Sequence, residues 1–163
     1  MRCKRNALLE INHSHAQRSY VDWKYRELQS FVSSPPRMRS GNGGRIAYRF
    51  TTRSLPEFAA FYRLFYADGK KMIPDIAVSP LALAVWFMDD GSRSRTSAYL
   101  NTQQFPVSDQ LRMIDILERQ HGLLATLNKD KEYYRIRIRV GSIERFKALV
   151  SDYVLPELRY KIP

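Results

Sequence analysis

The sequence predicts an α+β protein made of two similar halves with antiparallel sheets. Segments with the spacing of amphipathic helices alternate with pairs of short strands that are joined by turn residues. The order strand, helix, hairpin, helix then recurs about 90 residues further along the chain, which indicates an internal repeat. We therefore place the half-repeats at residues 1–78 and 79–163 and expect them to form one structural unit.

Local sequence signals predict each element of the first half. Its first helix starts with a capping-box pair, its hairpin turn is rich in Gly and Asn, and its second helix starts with another capping box and a proline. The predicted elements are a strand over 6–12, a helix from Ser14 to the break at 33–36, a hairpin turn over Ser40–Gly44 and a helix from Ser54 to about Gly69.

The second half repeats this order after one additional helix, which is apolar until it reaches two aspartates. Subtracting the repeat offset places the first-half counterpart of that helix before residue 1. We therefore expect this sequence to lack the first acidic helix. The predicted elements are a helix over 80–90, a strand over 97–103, a helix over 107–122 with Gly122 as its C-cap, a hairpin turn over Asn128–Lys131 and a helix over 142–154.

The charge of the chain predicts an anionic partner. Lys and Arg number 27 against 16 Asp and Glu, a net charge of +11, and nucleic acid is the simplest partner for such an excess. Charge that serves solubility alone is the alternative. Cys3 is the only cysteine, which excludes an internal disulfide and a zinc cluster. Without an apolar run of about 18 residues or a signal-peptide core, no membrane partner is expected.

The second strand of each hairpin carries arginines on one face. Apolar residues alternate with them, so that one sheet face packs on helices and the other displays the arginines. Solvated faces usually mix signs, whereas Asp and Glu are nearly absent from both strands. Arginine commonly contacts phosphates and guanine edges, and a β-ribbon fits the major groove, although a solvated outer face is the alternative. The nucleic-acid candidates are Arg45, Arg49, Arg53, Arg135, Arg137 and Arg139.

The pair Asp89-Asp90 is the candidate for chemistry. An acid at a helix C-terminus costs about 0.3–1 kcal/mol, and a bound cation removes this penalty. Mg²⁺ takes oxygen ligands and assists phosphodiester hydrolysis, for which a second carboxylate would come from the other half. A plain helix-ending turn is the alternative for an isolated "DDG".

Two lysines and a glutamine are further candidates. Lys71 and Lys161 each come shortly before an Ile-Pro pair, and a lysine near a metal can stabilise transition-state charge. Surface lysines before proline turns are the alternative. Gln103 ends the strand after the acidic helix and is a candidate to orient water or a base.

At "PLALAVWFMDDGS", residues 80–92, the chain resembles the LAGLIDADG homing endonucleases, in the branch whose second motif reads much like "LAxWFMDDG". "YLNTQ", "GKKMIP" and "YKIP" also resemble flanking motifs of that branch. The resemblance implies a pseudo-twofold pair of αββαββα units, with LAGLIDADG helices that pack together and antiparallel sheets that form a saddle over double-stranded DNA. By this resemblance we expect the first of those helices to be absent from these residues.

The same resemblance implies site-specific, metal-dependent cleavage of both DNA strands. Asp90 would bind Mg²⁺ or Mn²⁺ with Asp89 as its neighbour, and Lys71, Lys161 and Gln103 match residues around the family's active sites. Without the first acidic helix, cleavage is expected to be impaired. Some members of the family assist intron splicing as maturases. Two alternatives therefore stay open, namely that the chain binds intron RNA without cleaving DNA, or that it is an inert remnant.

The family also sets expectations for location and assembly. We expect an intracellular protein, in a bacterial cytoplasm or an organelle. It should be mostly monomeric, with self-association open through the unpaired helix over 80–90.

We predict that the arginine strands dominate DNA affinity. Replacing Arg135, Arg137 and Arg139 by Ala should weaken binding and flatten its salt dependence, by about 0.9 in slope for each phosphate that the variant no longer neutralises. Affinities measured across a series of salt concentrations test this. An unchanged slope would show that another face meets the DNA.

Overall fold

The structure is a computed structural model that describes residues 2–3 and 5–163. The chain divides into two compact units, Met1–Gly69 and Lys70–Pro163, which we call unit 1 and unit 2. Each unit combines helices with antiparallel strands, so the predicted α+β class is confirmed. Within the described residues, no helix is both long and apolar enough to cross a membrane.

Unit 1 is built around a three-stranded antiparallel sheet. Its elements in chain order are β1 (Arg2–Cys3), β2 (Ala7–Leu8), β3 (Glu10–Ser14), α1 (Arg18–Glu27), β4 (Arg37–Ser40), β5 (Ile46–Thr51), α2 (Pro56–Phe65) and β6 (Tyr66–Ala67). The sheet has the order β3-β5-β4, so the second strand of the predicted hairpin is central.

The two helices of unit 1 begin in different ways. The Ser14 side chain accepts a hydrogen bond from the Ala16 N–H, and a 3-10 turn leads into α1. The capping box predicted at Ser54 is wrong, because Leu55 holds the N-cap position without a side-chain bond. Backbone bonds in both directions between Leu55 and Ala7 fix the chain just before Pro56 instead.

One hydrophobic cluster of unit 1 lies between α2 and strand β2. Ala7 packs with Phe58 and Ala59 of α2, and Phe31 meets Phe58 edge to face at 5.5 Å between ring centroids. Lys24 of α1 is also buried, with its ammonium 4.2 Å from the centroid of the Tyr20 ring.

Unit 2 contains the acidic helix and a four-stranded antiparallel sheet of order β10-β11-β9-β8. Its elements in chain order are β7 (Lys70–Lys71), α3 (Pro80–Asp90), β8 (Gly91–Arg93), β9 (Ala98–Leu100), α4 (Val107–His121), β10 (Ala125–Asp130), β11 (Tyr133–Ile138), α5 (Ile143–Val150) and a 3-10 helix (Pro156–Lys161).

The repeat read from the sequence recurs in the strand order of the two sheets. In unit 2 the strand before the hairpin pairs with the second hairpin strand, giving β9-β11-β10, and unit 1 has the same arrangement as β3-β5-β4. The predicted turn over Asn128–Lys131 is too early, because Asn128 still pairs with Arg135 in the ladder. The chain reverses after Asp130, where Lys131 has a φ of 57°.

Helix α3 has a defined start and a packed face. The Ser79 side chain accepts a hydrogen bond from the Ala82 N–H at 3.1 Å, and Pro80 occupies the first turn. Phe87 is fully buried and meets Phe146 of α5 edge to face at 5.0 Å. The interhelical aromatic contact fixes α3 against α5, so the acidic end of α3 has a set position in unit 2.

The segment over residues 73–78 runs along α4 and is attached to it by side chains. The buried Asp109 accepts a hydrogen bond from the Ile73 N–H at 2.9 Å, and Gln120 accepts one from the Val78 N–H at 2.8 Å. Gly122 ends α4 with a φ of 60°, as predicted. These bonds position Ser79, the N-cap of α3.

Gly91 follows the two aspartates. A glycine is required there because a side chain would clash with its neighbours, and not because the backbone is left-handed. Its φ is −84°, which any residue can adopt. A Cβ at this position would lie 2.2 Å from Phe87 Cδ2 and 2.3 Å from the Phe87 carbonyl oxygen. The backbone of β8 therefore approaches α3 more closely than any side chain would allow.

We predict that Gly91→Ala lowers the free energy of unfolding by about 1–3 kcal/mol, the usual cost of forcing extra atoms into a packed site. Gly141→Ala is the matched control, since a Cβ there meets no atom within 4 Å. Urea unfolding of both variants measures the difference. Equal stabilities would contradict the close approach.

Candidate nucleic-acid interface

The unit 2 sheet has a polar face that spans all four strands. The register places Tyr99 opposite both Arg137 and Ser92, and Arg135 opposite Asn128, so these side chains share one face. The opposite face carries fully buried residues such as Ile136 and Ile138. By strand alternation the polar face carries Ser92, Tyr99, Thr126, Asn128, Asp130, Tyr133, Arg135 and Arg137. Ser97 and Asn101, which flank β9, join this face through their bonds to Arg137 and Arg135.

Arg135 is held in place by three neighbours on this face. Its guanidinium carbon lies 4.1 Å from the centroid of the Tyr99 ring. Its Nη1 donates to Asn101 Oδ1 at 3.4 Å and lies 4.0 Å from Asp130 Oδ2. Its Nε is buried without a hydrogen-bond partner among the described residues. Arg135 is therefore oriented in advance.

Gln103 and Arg135, both predicted site residues, share Asp130 as a partner. Gln103 Nε2 donates to Asp130 Oδ2 at 2.8 Å. Arg137 is oriented separately, since its Nε donates to Ser97 Oγ at 3.0 Å. Sequence reasoning missed Asp130, although the alternation of β10 through the hairpin turn would have placed it beside the arginines.

The unit 1 sheet carries a second basic face. Arg49 lies opposite Asn12 on one side and opposite Arg37 on the other. Arg37 and Arg39 were missed as candidates, because the alternation of the first hairpin strand is short. Arg49 also forms an ion pair with Glu10 at 3.1 Å. On both basic faces, an acidic side chain from a neighbouring strand thus lies beside an arginine. The sequence pattern of one β-strand does not show such a contact.

Three predicted arginines lie just outside the strands. Arg45 precedes β5 and is exposed, and Arg139 follows β11, where its N–H donates to the Leu124 carbonyl. Arg53 follows β5 and donates from Nη2 to the Ser30 carbonyl at 2.9 Å. The strict alternation of arginines and apolar residues that the sequence predicts therefore ends at the last paired residue of each strand.

The acidic end of α3 is attached to the polar face. Asp90 is half-buried and Asp89 is exposed. The Asp90 carbonyl accepts a hydrogen bond from the Asn101 N–H at 3.0 Å, and Asn101 in turn contacts Arg135. Within unit 2, the candidate acid and the candidate DNA-binding arginine are linked through one residue.

Lys161 lies on the C-terminus of α3. Its Nζ donates to the Met88 carbonyl at 2.6 Å and to the Asp89 carbonyl at 3.4 Å. A cation at this end offsets the partial negative charge of the helix. This contact lowers the cost of ending α3 on two acids.

Lys71 has different surroundings from Lys161, although the two recur in the sequence. Lys71 lies exposed in β7, with its Nζ 5.8 Å from the centroid of the Phe105 ring. Lys161 instead ends a 3-10 helix. A shared role for the two lysines stays a prediction.

In unit 2 the side chains that could hold a metal ion are the two carboxylates that end α3. Residues 2–3 and 5–163 contain no group of three or more His, Cys, Asp or Glu side chains placed to hold a metal. Mg²⁺ usually keeps several waters and is bound through one or two carboxylates together with substrate phosphates. Asp90, with Asp89 beside it, fits that donor set.

Comparison with known proteins identifies the family. The model of the LAGLIDADG DNA endonuclease family matches residues 1–146. The chain belongs to this family. The resemblance seen at the α3 motif is therefore confirmed.

Two relatives and one solved structure illustrate the similarity. The chain is 26% identical over 162 residues to cytochrome b mRNA maturase bI2 of Debaryomyces hansenii, covering 95% of this chain and 59% of the maturase. It is 28% identical over 174 residues to probable intron-encoded endonuclease 1 of Wickerhamomyces canadensis, covering 98% and 75%. The homing endonuclease I-WcaI bound to its DNA recognition sequence matches with a TM-score of 0.89 at 28% identity, covering all of this chain and 79% of that one.

The two recurring lysines should contribute unequally to stability. We expect Lys161→Met to lower the free energy of unfolding by about 1–2 kcal/mol, because it removes charge-assisted bonds to the end of α3. Lys71→Met should change it by less than about 0.5 kcal/mol, as is usual for an exposed position. Urea unfolding of the two variants tests the difference, and equal losses of stability would refute it.

Proposed function

We propose that this chain is a site-specific endonuclease that cleaves both strands of DNA by metal-dependent phosphodiester hydrolysis. The observation that supports it most directly is the bond between the Asn101 N–H and the Asp90 carbonyl, which attaches the acidic helix to a strand of the arginine face. The similarity to I-WcaI, which binds its DNA recognition sequence, favours the same ligand here.

Double-stranded DNA is the proposed main partner. The net charge of +11 draws the chain to phosphates. Arg135, fixed by the Tyr99 ring, presents an oriented fork suited to a base edge, because bidentate contacts to guanine need a set geometry. The exposed Arg45 and Arg139 have no such fixation among the contacts described and suit the DNA backbone.

The remaining site residues act around Asp90. Asp90 would hold Mg²⁺ or Mn²⁺, which when bound supplies an activated water and neutralises charge on the scissile phosphate. Lys161 holds the last turn of α3 and places a positive charge beside it. Gln103 is held by Asp130, with its carbonyl oxygen left to orient a water or a base. Lys71 would neutralise charge on the phosphate, and this role rests on its sequence position alone.

The second candidate function is that of a non-cleaving nucleic-acid binder that assists splicing of intron RNA. The similarity to a cytochrome b mRNA maturase favours it. The polar face serves this function as well, since Arg and Tyr side chains also stack on unpaired bases. Tight binding of intron RNA by a protein that cuts no DNA would select this candidate.

We predict that Asp90→Asn abolishes cleavage while DNA affinity stays within about twofold. The amide is nearly isosteric and removes one negative charge from a helix C-terminus, so that the fold is retained. Asp89→Asn is the matched control and should retain most of the activity. The measurement is linearisation of a plasmid that carries the intron-less insertion site, with Mg²⁺ and without it.

The outcomes separate the two candidates. Cleavage that survives Asp90→Asn would refute the assigned role of Asp90. If the unchanged protein cuts no DNA and binds the intron RNA, the splicing function is favoured instead.

A further inference from the structure

Unit 1 leaves one strand of its sheet uncovered on the side that α1 occupies. Met38 of β4 lies directly opposite Tyr48 of β5, and Tyr48 faces α1, since its hydroxyl donates to Asp22 Oδ1 at 2.9 Å. Strand alternation places Met38, Ile46 and Tyr48 on this helix side and the arginines of both strands on the opposite face. The helix side is therefore a surface separate from the basic face.

The two units cover the helix side of their sheets differently. In unit 2, α4 packs on both hairpin strands, β10 and β11, whereas the corresponding helix α1 of unit 1 packs on β3 and β5. Leu127 and Ile136 are directly opposite each other in unit 2, and they are half-buried and fully buried. In the corresponding pair of unit 1, Met38 is 65% exposed and Tyr48 is only half-buried. The first hairpin strand of unit 1 thus lacks the helix that covers its counterpart.

Met38 and Ile46 form an exposed apolar surface on this side, which we call the β4 strip. Ile46 is 50% exposed, and it lies diagonal to Met38 because its direct partner in the ladder is Ser40. Contiguous apolar surface marks interaction sites, whereas single exposed apolar side chains do not. Since nucleic acid is bound largely through its phosphates, an aliphatic strip fits a protein partner better.

The wall that α1 forms beside the β4 strip is basic. Its acid, Asp22, is engaged by Tyr48 and by Arg18, whose Nε lies 3.6 Å from Asp22 Oδ2. The Arg18 side chain is still 65% exposed, and Arg26, one helical turn after Asp22, is exposed as well. One acid against two arginines leaves a positive rim, which favours a partner of negative charge.

We propose that the β4 strip docks an acidic amphipathic helix of a partner protein, which lies beside α1 and covers Met38 and Ile46. Helices that dock on apolar surfaces present their anchors at i, i+3 or i+4, and i+7. Acidic side chains at the edge of this helix meet Arg18 and Arg26. A second copy of the chain is a poorer occupant, because each copy carries a net charge of +11.

The position of the β4 strip sets the relation between the partner and DNA. The strip and the arginines of β4 and β5 lie on opposite sides of the same sheet. A helix on the strip therefore leaves the arginines accessible, so that the partner and DNA bind at the same time. The docking depends neither on Asp90 nor on cleavage.

The test uses the full chain and three fluorescent stapled peptides of about 15 residues, a length at which an unstapled helix is marginal in water. The acidic peptide has leucines at i, i+4 and i+7 and glutamates on the flanks. The basic peptide has lysines in place of the glutamates, and the serine peptide has serines in place of the leucines.

The variant Met38→Gln/Ile46→Thr removes the apolar surface without a change of charge. Its matched control, Val107→Thr/Leu111→Gln, replaces two exposed apolar residues of α4 in the same way. Thermal unfolding checks that both variants are folded.

We expect the acidic peptide to bind the unchanged protein at about 0.15 M salt and to bind Met38→Gln/Ile46→Thr at least about 10-fold more weakly, since apolar contacts are lost. The affinity of the control variant should change by less than about threefold, as is usual for substitutions away from a binding surface. The basic and serine peptides should bind more weakly than the acidic one. An excess of a mixed-sequence DNA duplex should leave the acidic peptide bound.

Ser40 provides a second test if the double variant does not fold, because it is exposed and lies opposite Ile46. Ser40→Glu should weaken binding of the acidic peptide, and Ser40→Lys should strengthen it. A loss of folding would not produce such opposite effects, so equal effects of the two substitutions would contradict the proposal.

Four results would overturn the proposal. The first is that the unchanged protein does not bind the acidic peptide, and the second is that Met38→Gln/Ile46→Thr and its control lose affinity equally. The third is displacement of the peptide by the duplex, or equal affinity for the serine peptide, because charge alone would then hold it on the arginines. The fourth is a dimer in light scattering that Met38→Gln/Ile46→Thr abolishes, since the strip would then bind a second copy.

Discussion

The position of the acidic end of α3 depends on the contact between the Lys161 ammonium and the last carbonyls of that helix. The helix ends without a left-handed cap, and two carboxylates lie at its last carbonyls, so negative charge accumulates at one point. Lys161 comes from a position 73 residues further along the chain and donates to the Met88 carbonyl. Because that bond ties the C-terminal 3-10 helix to α3, the acidic end is held near the sheet by contacts within the chain itself.

From this fixed point the site extends across the sheet by short polar contacts. The Asp90 carbonyl accepts a hydrogen bond from the Asn101 N–H. The Asn101 side chain accepts one from Arg135. Arg135 and Gln103 both contact the Asp130 carboxylate. The side-chain contacts restrict the rotamers of Asn101, Arg135 and Gln103, which would otherwise lose entropy on binding. A prepared surface of this kind favours sequence discrimination over simple charge attraction, since base contacts specify whereas phosphate contacts position.

The two units use the same strand order for surfaces of different character. In unit 2 the central arginine is stacked, paired and half-buried, whereas in unit 1 Arg37 and Arg39 are exposed beside an open cavity. The two halves of the repeat thus share the order of their strands but differ in the side chains that these strands carry.

Sequence by itself determined the class of fold, the repeat, the positions of the main helices and strands, and the family. These follow from hydrophobic period, turn residues and a motif, all of which act over a few neighbouring residues. The structure corrected the start of α2 and the β10–β11 turn, where a backbone bond to Ala7 and a longer ladder outweighed local signals.

Only the tertiary structure decided which charges meet. It brought Asp130 and Glu10 to the arginine faces, placed Lys161 on α3, gave Lys71 other surroundings and buried Lys24. It also showed that Gly91 is needed for space beside Phe87. The physical reason is common to all of these: each depends on atoms that strand register and helix packing bring together from distant parts of the chain, and no local pattern encodes such distances.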